Sequence, residues 1–515
     1  MDRSDFLARN LGDCFDIAGR ADKVALIDVG DPDNPVSFTY AELDAQVNAV
    51  ARGLTARGFR RGDRIGILGF NSWRYVVAFL GTMRAGLVTV PISIKLATEI
   101  IDYIVADASL KAVFHDAAHA RLVPADLPAI AMEPGGSFDD LRAPGPFTAA
   151  KPEPHEVGMM LYTSGSTGKP KGVLLSHSSQ LWGLAKSAEL FGDVSANRYI
   201  VAAPLYHMNA TFSVKMALVA GASFVLMPSF NAVSYLKAVA RQRVTWLTSV
   251  PTMLALCARE KDLFATLDLS SVRRVMMGSA PLTQALIDKV EALFPGAILS
   301  NSYGTTEAGP VVFGPHPQGK PRPVIALGYP VDGGVMELRE GPSADEGVLY
   351  MRNPSLMEGY HNLPEKTADA LREGWYRSGD IMRRDADGFF YFVGRADDMF
   401  VVGGENVWPG EVEKLLERHD AVHQAMVVPV PDDVKGTLPF AFIVPRPGLT
   451  VSEDDIKAFA LANGPAFAHP RFVEIVAEIP LAATNKPDRG GLTRRAAGIA
   501  AERRARGERA DKALA

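Results

Sequence analysis

The feature that most constrains this chain is a strand–helix rhythm that recurs along its first two-thirds. An apolar run at Arg64–Gly69, a helical stretch from Trp73 to Ala85, a strand at Leu87–Ile92, a helix near Ala97–Ala106 and a strand at Ala112–Phe114 follow one another. The rhythm returns with strands at Ser223–Met227, Trp246–Val250 and Arg274–Met277, followed in turn by helices at Val233–Gln242, Pro251–Arg259 and Leu282–Phe294. Strands alternating with helices run parallel, because the crossover helix carries the chain back to the start of the next strand. The spacing predicts an α/β protein with a large N-terminal domain of parallel-sheet layers.

From roughly Ala326 to Val393 the pattern changes to short strands, Gly347–Arg352 and Phe389–Val393, around the turn residues Asp385, Asp387 and Gly388. This predicts a small antiparallel subdomain. After Gly394 come a charged, glycine-rich stretch, a helix at Gly410–His419, strands at Ala425–Pro429 and Phe440–Pro445, and a helix at Glu453–Asn463. These read as a small α+β C-terminal domain. At 515 residues the chain exceeds the size at which a single core keeps growing, so several domains are expected. The last twenty residues, rich in Ala, Arg and Glu, read as a frayed helix or mobile tail.

A net charge of −5 supplies no basic field of the kind that displaces counterions from nucleic acid, so no nucleic-acid partner is expected. Cys14 and Cys257 are too few for a disulfide framework and too far apart for a metal-ligand cluster, which fits a reducing, cytoplasmic setting. The N-terminal MDRSDFLARNLGDCF has charges where a secretory signal needs an apolar core. The most apolar region, Val201 to Pro228, is interrupted by Pro204, His207, Asn209 and Lys215, so no membrane span is expected.

Five segments carry chemistry. LYTSGSTGKPKGV, Leu161 to Val173, combines three glycines, four hydroxyl residues and two lysines. Gly165, Gly168 and Gly172 let backbone N–H groups turn toward an anion, Thr163, Ser164, Ser166 and Thr167 add hydroxyl donors, and Lys171 adds charge. It is not a Walker loop, since Thr163 and Pro170 stand where that motif needs Gly and Lys–Ser/Thr spacing. A polar turn between strands explains the Gly and Ser but not the paired lysines. NSYGTTEAG, Asn301 to Gly309, follows a strand-like Ala297–Leu299, so it falls at the carboxyl end of a strand, where open α/β sheets bind ligands. Glu307 there suits Mg²⁺, which takes one or two carboxylates plus phosphate oxygens; a solvated Glu in a turn is the competing reading. YRSGDI places Asp380 after a glycine, where a carboxylate can accept both hydroxyls of a ribose, although turn aspartates are common. GRADDMFVVGGENVWPGEVE, Gly394 to Glu413, joins Arg395 to an acid pair and to Gly403–Gly404, which permit close backbone approach. PLAATNKPDRGGL sets Lys486 among turn-forming residues.

In that order the five segments resemble the adenylate-forming superfamily of acyl- and aryl-CoA ligases, carrier-protein adenylation domains and luciferases, from about residue 30 to residue 495. Around GRADDMFVVGGEN and PLYHMN the wording is most similar to bacterial ligases for aromatic or medium-chain acids. The resemblance implies an AMP-forming acid–thiol ligase: a carboxylate and ATP give an acyl-adenylate and pyrophosphate, and the thiol of CoA then displaces AMP. It implies that Thr163 to Lys171 hold the β- and γ-phosphates, Thr306 the α-phosphate and Glu307 the Mg²⁺. Ser279, Ala280 and Pro281 with Ser302, Tyr303 and Gly304 match the nucleotide pocket, and Asp380 and Arg395 the ribose contacts. Lys486 matches the lysine bridging acyl carboxylate and phosphate, Asp397 the hinge, and Gly403–Gly404 the wall of the CoA channel. The implied domains are 1–394, a hinge at 395–398, and a mobile C-terminal domain at 399–515. The hinge stretch MFVVGG lacks the Lys that many relatives carry, and Pro487 directly follows Lys486.

By the same resemblance His207, Thr211, Gly278 and Gly309 line the acyl pocket, among Met, Ala, Gly, Val and Phe with no arginine. An apolar monocarboxylate, aromatic or medium-chain, follows, and a dicarboxylate is disfavoured. Asn209 and Thr211 read either as ligand contacts or as backbone-satisfying groups, and His207 either as a pocket gate or as a helix cap. The partners implied are small molecules, with a homodimer as the oligomer considered. The competing functions are a carrier-loading adenylation enzyme, a non-catalytic nucleotide-binding relative and, from the glycine loop alone, a kinase.

Overall fold

The computed structural model describes residues 3–163, 169–280, 282–403, 405–432, 435–481 and 487–506, with Asn406 and Ala505 by backbone alone. By contact density the chain forms two compact units. The first comprises 1–337, 350–378 and 388–390, and the second 338–349, 379–387 and 391–515.

Two seven-stranded sheets organise the first unit. In one, the order is Ile298–Ser302, Arg274–Gly278, Trp246–Ser249, Arg198–Val201, Ser223–Leu226, Val24–Asp28, Val36–Thr39. All its pairings are parallel except the last. In the other, Gly359–Tyr360, Lys171–Ser176, Val157–Thr163, Val88–Pro91, Arg64–Leu68, Ala112–His115 and Ala129–Ala131 lie side by side. Its last five strands are parallel and its first three antiparallel. The α/β class and the parallel layers expected from the alternation are therefore present.

Successive side chains of these strands are buried on opposite faces, as a period of two requires. Leu26, Tyr199, Val201 and Phe224 join a core shared with Ile65, Phe114 and Met159 of the other sheet and with the helices Tyr40–Ala56, Trp73–Arg84, His177–Phe191 and Met208–Val219. Ile27, Ile200, Val225 and Val275 face away, under the helices Ala232–Arg241, Pro251–Cys257 and Gln284–Leu293. Both sheets are covered on both sides, which is why their strands read as continuous apolar runs rather than alternating ones.

The short-strand region is a five-stranded sheet in the order Val335–Ser343, Glu346–Arg352, Trp375–Arg384, Leu371–Arg372, with Phe390–Arg395 also on Trp375–Arg384. The core of the second unit is the long antiparallel pair Val422–Asp432 and Gly436–Pro445, with Phe472–Ile475 parallel to the latter. The helices Pro409–Leu416 and Glu453–Asn463 pack on this core. The second begins at a capping box in which Ser452 and Asp455 satisfy each other's backbone N–H.

Of the last twenty residues, read as a frayed helix or mobile tail, 496–505 are helical and 507–515 lie outside the described residues. The terminal segment is a helix, Arg489–Ala505, whose Leu492, Ala496 and Ala500 are almost completely buried in the core of the second unit. Small residues at a spacing of four make a narrow stripe that the surrounding arginines hide from a composition-based reading. Those arginines are held in place, Arg503 by Glu453 at 2.8 Å and Arg495 by Glu474.

Candidate functional site

The strand Lys171–Ser176 pairs antiparallel with Val157–Thr163 so that Thr163 and Lys171 stand opposite each other. The Thr163 hydroxyl is buried and has no hydrogen-bond partner among the described residues, a costly state that an added acceptor relieves. Ser164, Gly165, Ser166, Thr167 and Gly168, between these strands, lie outside the described residues, as do Pro281, Gly404 and Lys486.

On its other edge Lys171–Ser176 carries the two-residue strand Gly359–Tyr360, with Tyr360 opposite Val173. Backbone bonds on either side fasten it: Glu358 N–H donates to Leu174 O at 2.9 Å and His361 N–H to Gly172 O at 2.7 Å. The crossing places the Lys171 ammonium 4.1 Å from the centre of the Tyr360 ring. The Tyr360 hydroxyl donates to Oε1 of Glu307 at 3.0 Å. One buried tyrosine thus spans the cation of one motif and the carboxylate of another. Sequence reading missed Tyr360, because nothing near it in the chain marks a link to Glu307.

Glu307 and Thr306 sit on a tight turn closed by Thr305 N–H donating to Gly309 O at 3.2 Å and by the Thr305 hydroxyl accepting from Ala308 N–H at 2.9 Å. The turn needs its last glycine. Gly309 has φ +87°, and a Cβ there would fall 2.5 Å from the Cβ of Ser355. Among the described residues no three His, Cys, Asp or Glu side chains converge to hold a metal. A divalent cation beside Glu307 would fit the mode Mg²⁺ prefers, one carboxylate together with phosphate oxygens.

The strands Arg274–Gly278 and Ile298–Ser302 run parallel, Gly278 opposite Ser302. At their carboxyl ends the Ser302 hydroxyl donates to Met277 O at 3.0 Å, and the space beside it is available only because residue 278 is glycine. Ser279 follows in the left-handed region, φ +65°, a strained conformation for a non-glycine residue that here turns the chain at the sheet end. Ala280 is half-buried beyond it, and the ring of Tyr303 lies 5.9 Å from that of Phe313. Gly304 lies against the backbone of Pro310, 2.6 Å from where its Cβ would stand.

Asn209, in the first turn of Met208–Val219, donates to the Ser279 hydroxyl at 3.3 Å and so ties this helix to the strand end. Thr211 donates to Met208 O at 3.1 Å and is 1% exposed, so its hydroxyl is consumed by its own helix. His207 occupies the N-cap position, yet its side chain makes no capping bond; its ring lies edge-on to Tyr206 at 4.7 Å.

The second unit holds its own charged group. Arg395 Nη1 donates to Asp380 Oδ1 at 2.7 Å, and its Nη2 lies 3.6 Å from Asp397. Asp380 is buried, and Gly379 before it has φ +70°, with the Arg395 guanidinium 3.2 Å from where a Cβ would stand. Gly403 has φ +60°, and its N–H donates to Lys435 O at 3.0 Å.

The family model described as AMP-binding enzyme matches residues 16–361, and the model of its C-terminal domain matches 411–486. A feruloyl-CoA synthase of Amycolatopsis sp is 34% identical over 474 residues, covering 89% of this chain and 94% of that protein. A long-chain-fatty-acid–CoA ligase, FadD13 of Mycobacterium tuberculosis, is 31% identical over 474 residues, covering 88% of this chain and 92% of that protein. Among solved structures, the anthranilate CoA ligase AuaEII in complex with anthranoyl-AMP superimposes with a TM-score of 0.88 at 28% identity, over 97% of this chain and all of that one. The chain belongs to the AMP-binding enzyme family, as an AMP-forming acid–thiol ligase.

Proposed function

We propose that this enzyme joins an apolar monocarboxylic acid, preferentially aromatic, to coenzyme A through an acyl-adenylate, with Mg²⁺ carried by ATP. The observation that carries the reading is the row Lys171–Tyr360–Glu307, which sets a cation and a carboxylate on one tyrosine, with Thr163 opposite Lys171 on the neighbouring strand. Such a row suits a triphosphate, whose transfer chemistry depends on positioning and charge neutralisation rather than on a covalent side chain. Lys171 and Thr163, with Ser164 to Gly168, grip the β- and γ-phosphates, and Thr306 takes the α-phosphate. Glu307 holds the Mg²⁺, which when bound offsets phosphate charge. The Ser279–Ala280–Pro281 and Ser302–Tyr303–Gly304 segments receive the adenine, and Asp380, aligned by Arg395, accepts the ribose hydroxyls.

Relatives named for ferulate and anthranilate support an aromatic acid. The sequence boundaries 1–394 and 399–515 are proposed as the functional domains, turning about 395–398 between the two half-reactions. In the first step the C-terminal domain presents Lys486 to the reacting carboxylate and phosphate; in the second it withdraws Lys486 and lines the CoA channel with Gly403–Gly404. Both cysteines are free, buried thiols, in keeping with a cytosolic enzyme. Among the described residues no helix is long and apolar enough to cross a membrane.

The test is to incubate the protein with ATP, Mg²⁺ and ferulate, anthranilate, benzoate or octanoate, with and without CoA, and to follow pyrophosphate, AMP and thioester. AMP and pyrophosphate with thioester only when CoA is present is the expected result. ADP, adenylate that CoA does not consume, or no turnover with any acid each refutes it. Lys486→Ala should cripple adenylation far more than thioester formation from supplied acyl-adenylate; equal losses in both would refute the domain-rotation assignment.

A further inference from the structure

Two arginines and two adjacent acids of the second unit form a chain of contacts, of which the reading above assigns no role to the Arg489–Asp398 pair. The 3₁₀ turn Ala396–Asp398 carries Asp397 and Asp398 side by side. Asp397 lies 3.6 Å from Arg395, the arginine that also holds Asp380. Asp398 instead lies 3.4 Å from Nε of Arg489.

Arg489 is three residues beyond Lys486 in sequence and is spent entirely on fixed partners. Its Nη1 donates to Val427 O at 2.5 Å and its Nη2 to Glu413 Oε1 at 3.0 Å. The same Glu413 oxygen accepts from Val427 N–H at 2.8 Å, so strand, helix and guanidinium close one network. A planar guanidinium addresses three acceptors at fixed angles, which a lysine ammonium on a flexible stem does not reproduce.

The chain immediately around Arg489 is equally constrained. Leu481 and Pro487 form an isolated bridge, Asp488 N–H donates to Pro480 O at 2.8 Å, and the Asp488 carboxylate caps the following helix by accepting from Gly491 N–H at 2.9 Å. Leu481 and Pro487, which flank residues 482–486, are thus paired, and Arg489 ties the chain just beyond them to Val427, Glu413 and Asp398. Lys486 itself lies outside the described residues.

We infer that Arg489 is a positioning residue for the adenylation step, coupling the hinge turn through Asp398 to the base of the segment that bears Lys486. The inference rests on the role proposed above for Lys486. It assigns the two neighbouring acids opposite duties: Asp397 belongs to the ribose-side arginine, and Asp398 to the arginine beneath the lysine segment.

The experiment uses the full chain and measures ATP–pyrophosphate exchange, and separately CoA thioester formation from supplied acyl-adenylate, with the panel acid that the wild type turns over. Lys486→Ala is the control: if it leaves exchange intact, the reading of Lys486 fails, and this inference with it. With that control in place, Arg489→Lys and Asp398→Asn should each lower exchange at least about fivefold while leaving the thioester step within about twofold, and in the Lys486→Ala background they should add nothing further. Asp398→Asn keeps the Arg489–Glu413–Val427 network, so it decides the matter if Arg489→Lys fails to fold. Equal losses in both half-reactions, losses that multiply with Lys486→Ala, or wild-type exchange in Asp398→Asn would overturn the assignment.

Discussion

Replacing Tyr360 by phenylalanine deletes one oxygen and leaves the ring where it is. The ring still faces the Lys171 ammonium at 4.1 Å, and the strand pairing of Gly359–Tyr360 does not involve the hydroxyl. What is lost is the 3.0 Å bond to Glu307 Oε1, at a residue only 6% exposed. A hydrogen bond to a charged group contributes about 1.5–3 kcal/mol, so if it holds Glu307 for the transition state the adenylation rate should fall roughly 10- to 150-fold. Tyr360→Leu also removes the ring beneath Lys171, an interaction of about 0.5–2 kcal/mol, and should cost a further factor of roughly 2 to 30. Pyrophosphate exchange at saturating acid and varied MgATP measures both, and the Phe variant should be partly rescued by raising Mg²⁺ if Glu307 is the residue it steadies. Exchange within twofold of wild type in Tyr360→Phe would refute the argument that this tyrosine joins the two motifs in function.

Gly309→Ala forces a side chain into the left-handed region and toward Ser355; it should destabilise the protein by at least about 2 kcal/mol and nearly abolish exchange, read by thermal melting and by pyrophosphate release. His177 is buried, accepts Leu11 N–H at 2.9 Å, and is held by desolvation at about 4, below its ordinary 6.5. The unfolded chain binds the proton first as pH falls, so roughly 3 kcal/mol of stability should be lost between pH 6.5 and 4, and urea melts of His177→Gln should show a shallower decline. Lys215 is fully buried and lowered by desolvation to about 8 from 10.5, so between those values the unfolded chain holds the extra proton and stability rises with pH. Lys215→Met should raise Tm at pH 7, with the gain shrinking as pH climbs from 8 toward 10; a gain independent of pH would refute the buried-charge explanation.

Much of the fold was legible because its signals are local. The parallel layers follow from apolar runs alternating with helical stretches, and the helix Glu453–Asn463 has the limits read from the sequence, its start fixed by the Ser452–Asp455 capping box that the structure shows. Motif order also singled out Thr306, Glu307, Asp380 and Arg395, since each lies in a short stretch of recognisable residue types; the bond from Arg395 to Asp380 was not among those expectations. The docking of the final helix was not legible, because burial of Leu492, Ala496 and Ala500 depends on a surface supplied by strands earlier in the chain.

What the amino-acid sequence determined by itself was the class of the fold and the inventory of groups available for nucleotide chemistry. Tertiary structure alone decided which of them meet. Tyr360 reaches Glu307 across 53 residues and Lys171 across a strand edge because a two-residue strand crosses there, and Arg489 reaches Asp398 because a helix start packs against a turn. Such encounters depend on the path of the backbone between elements, and no local periodicity, charge pattern or propensity records that path.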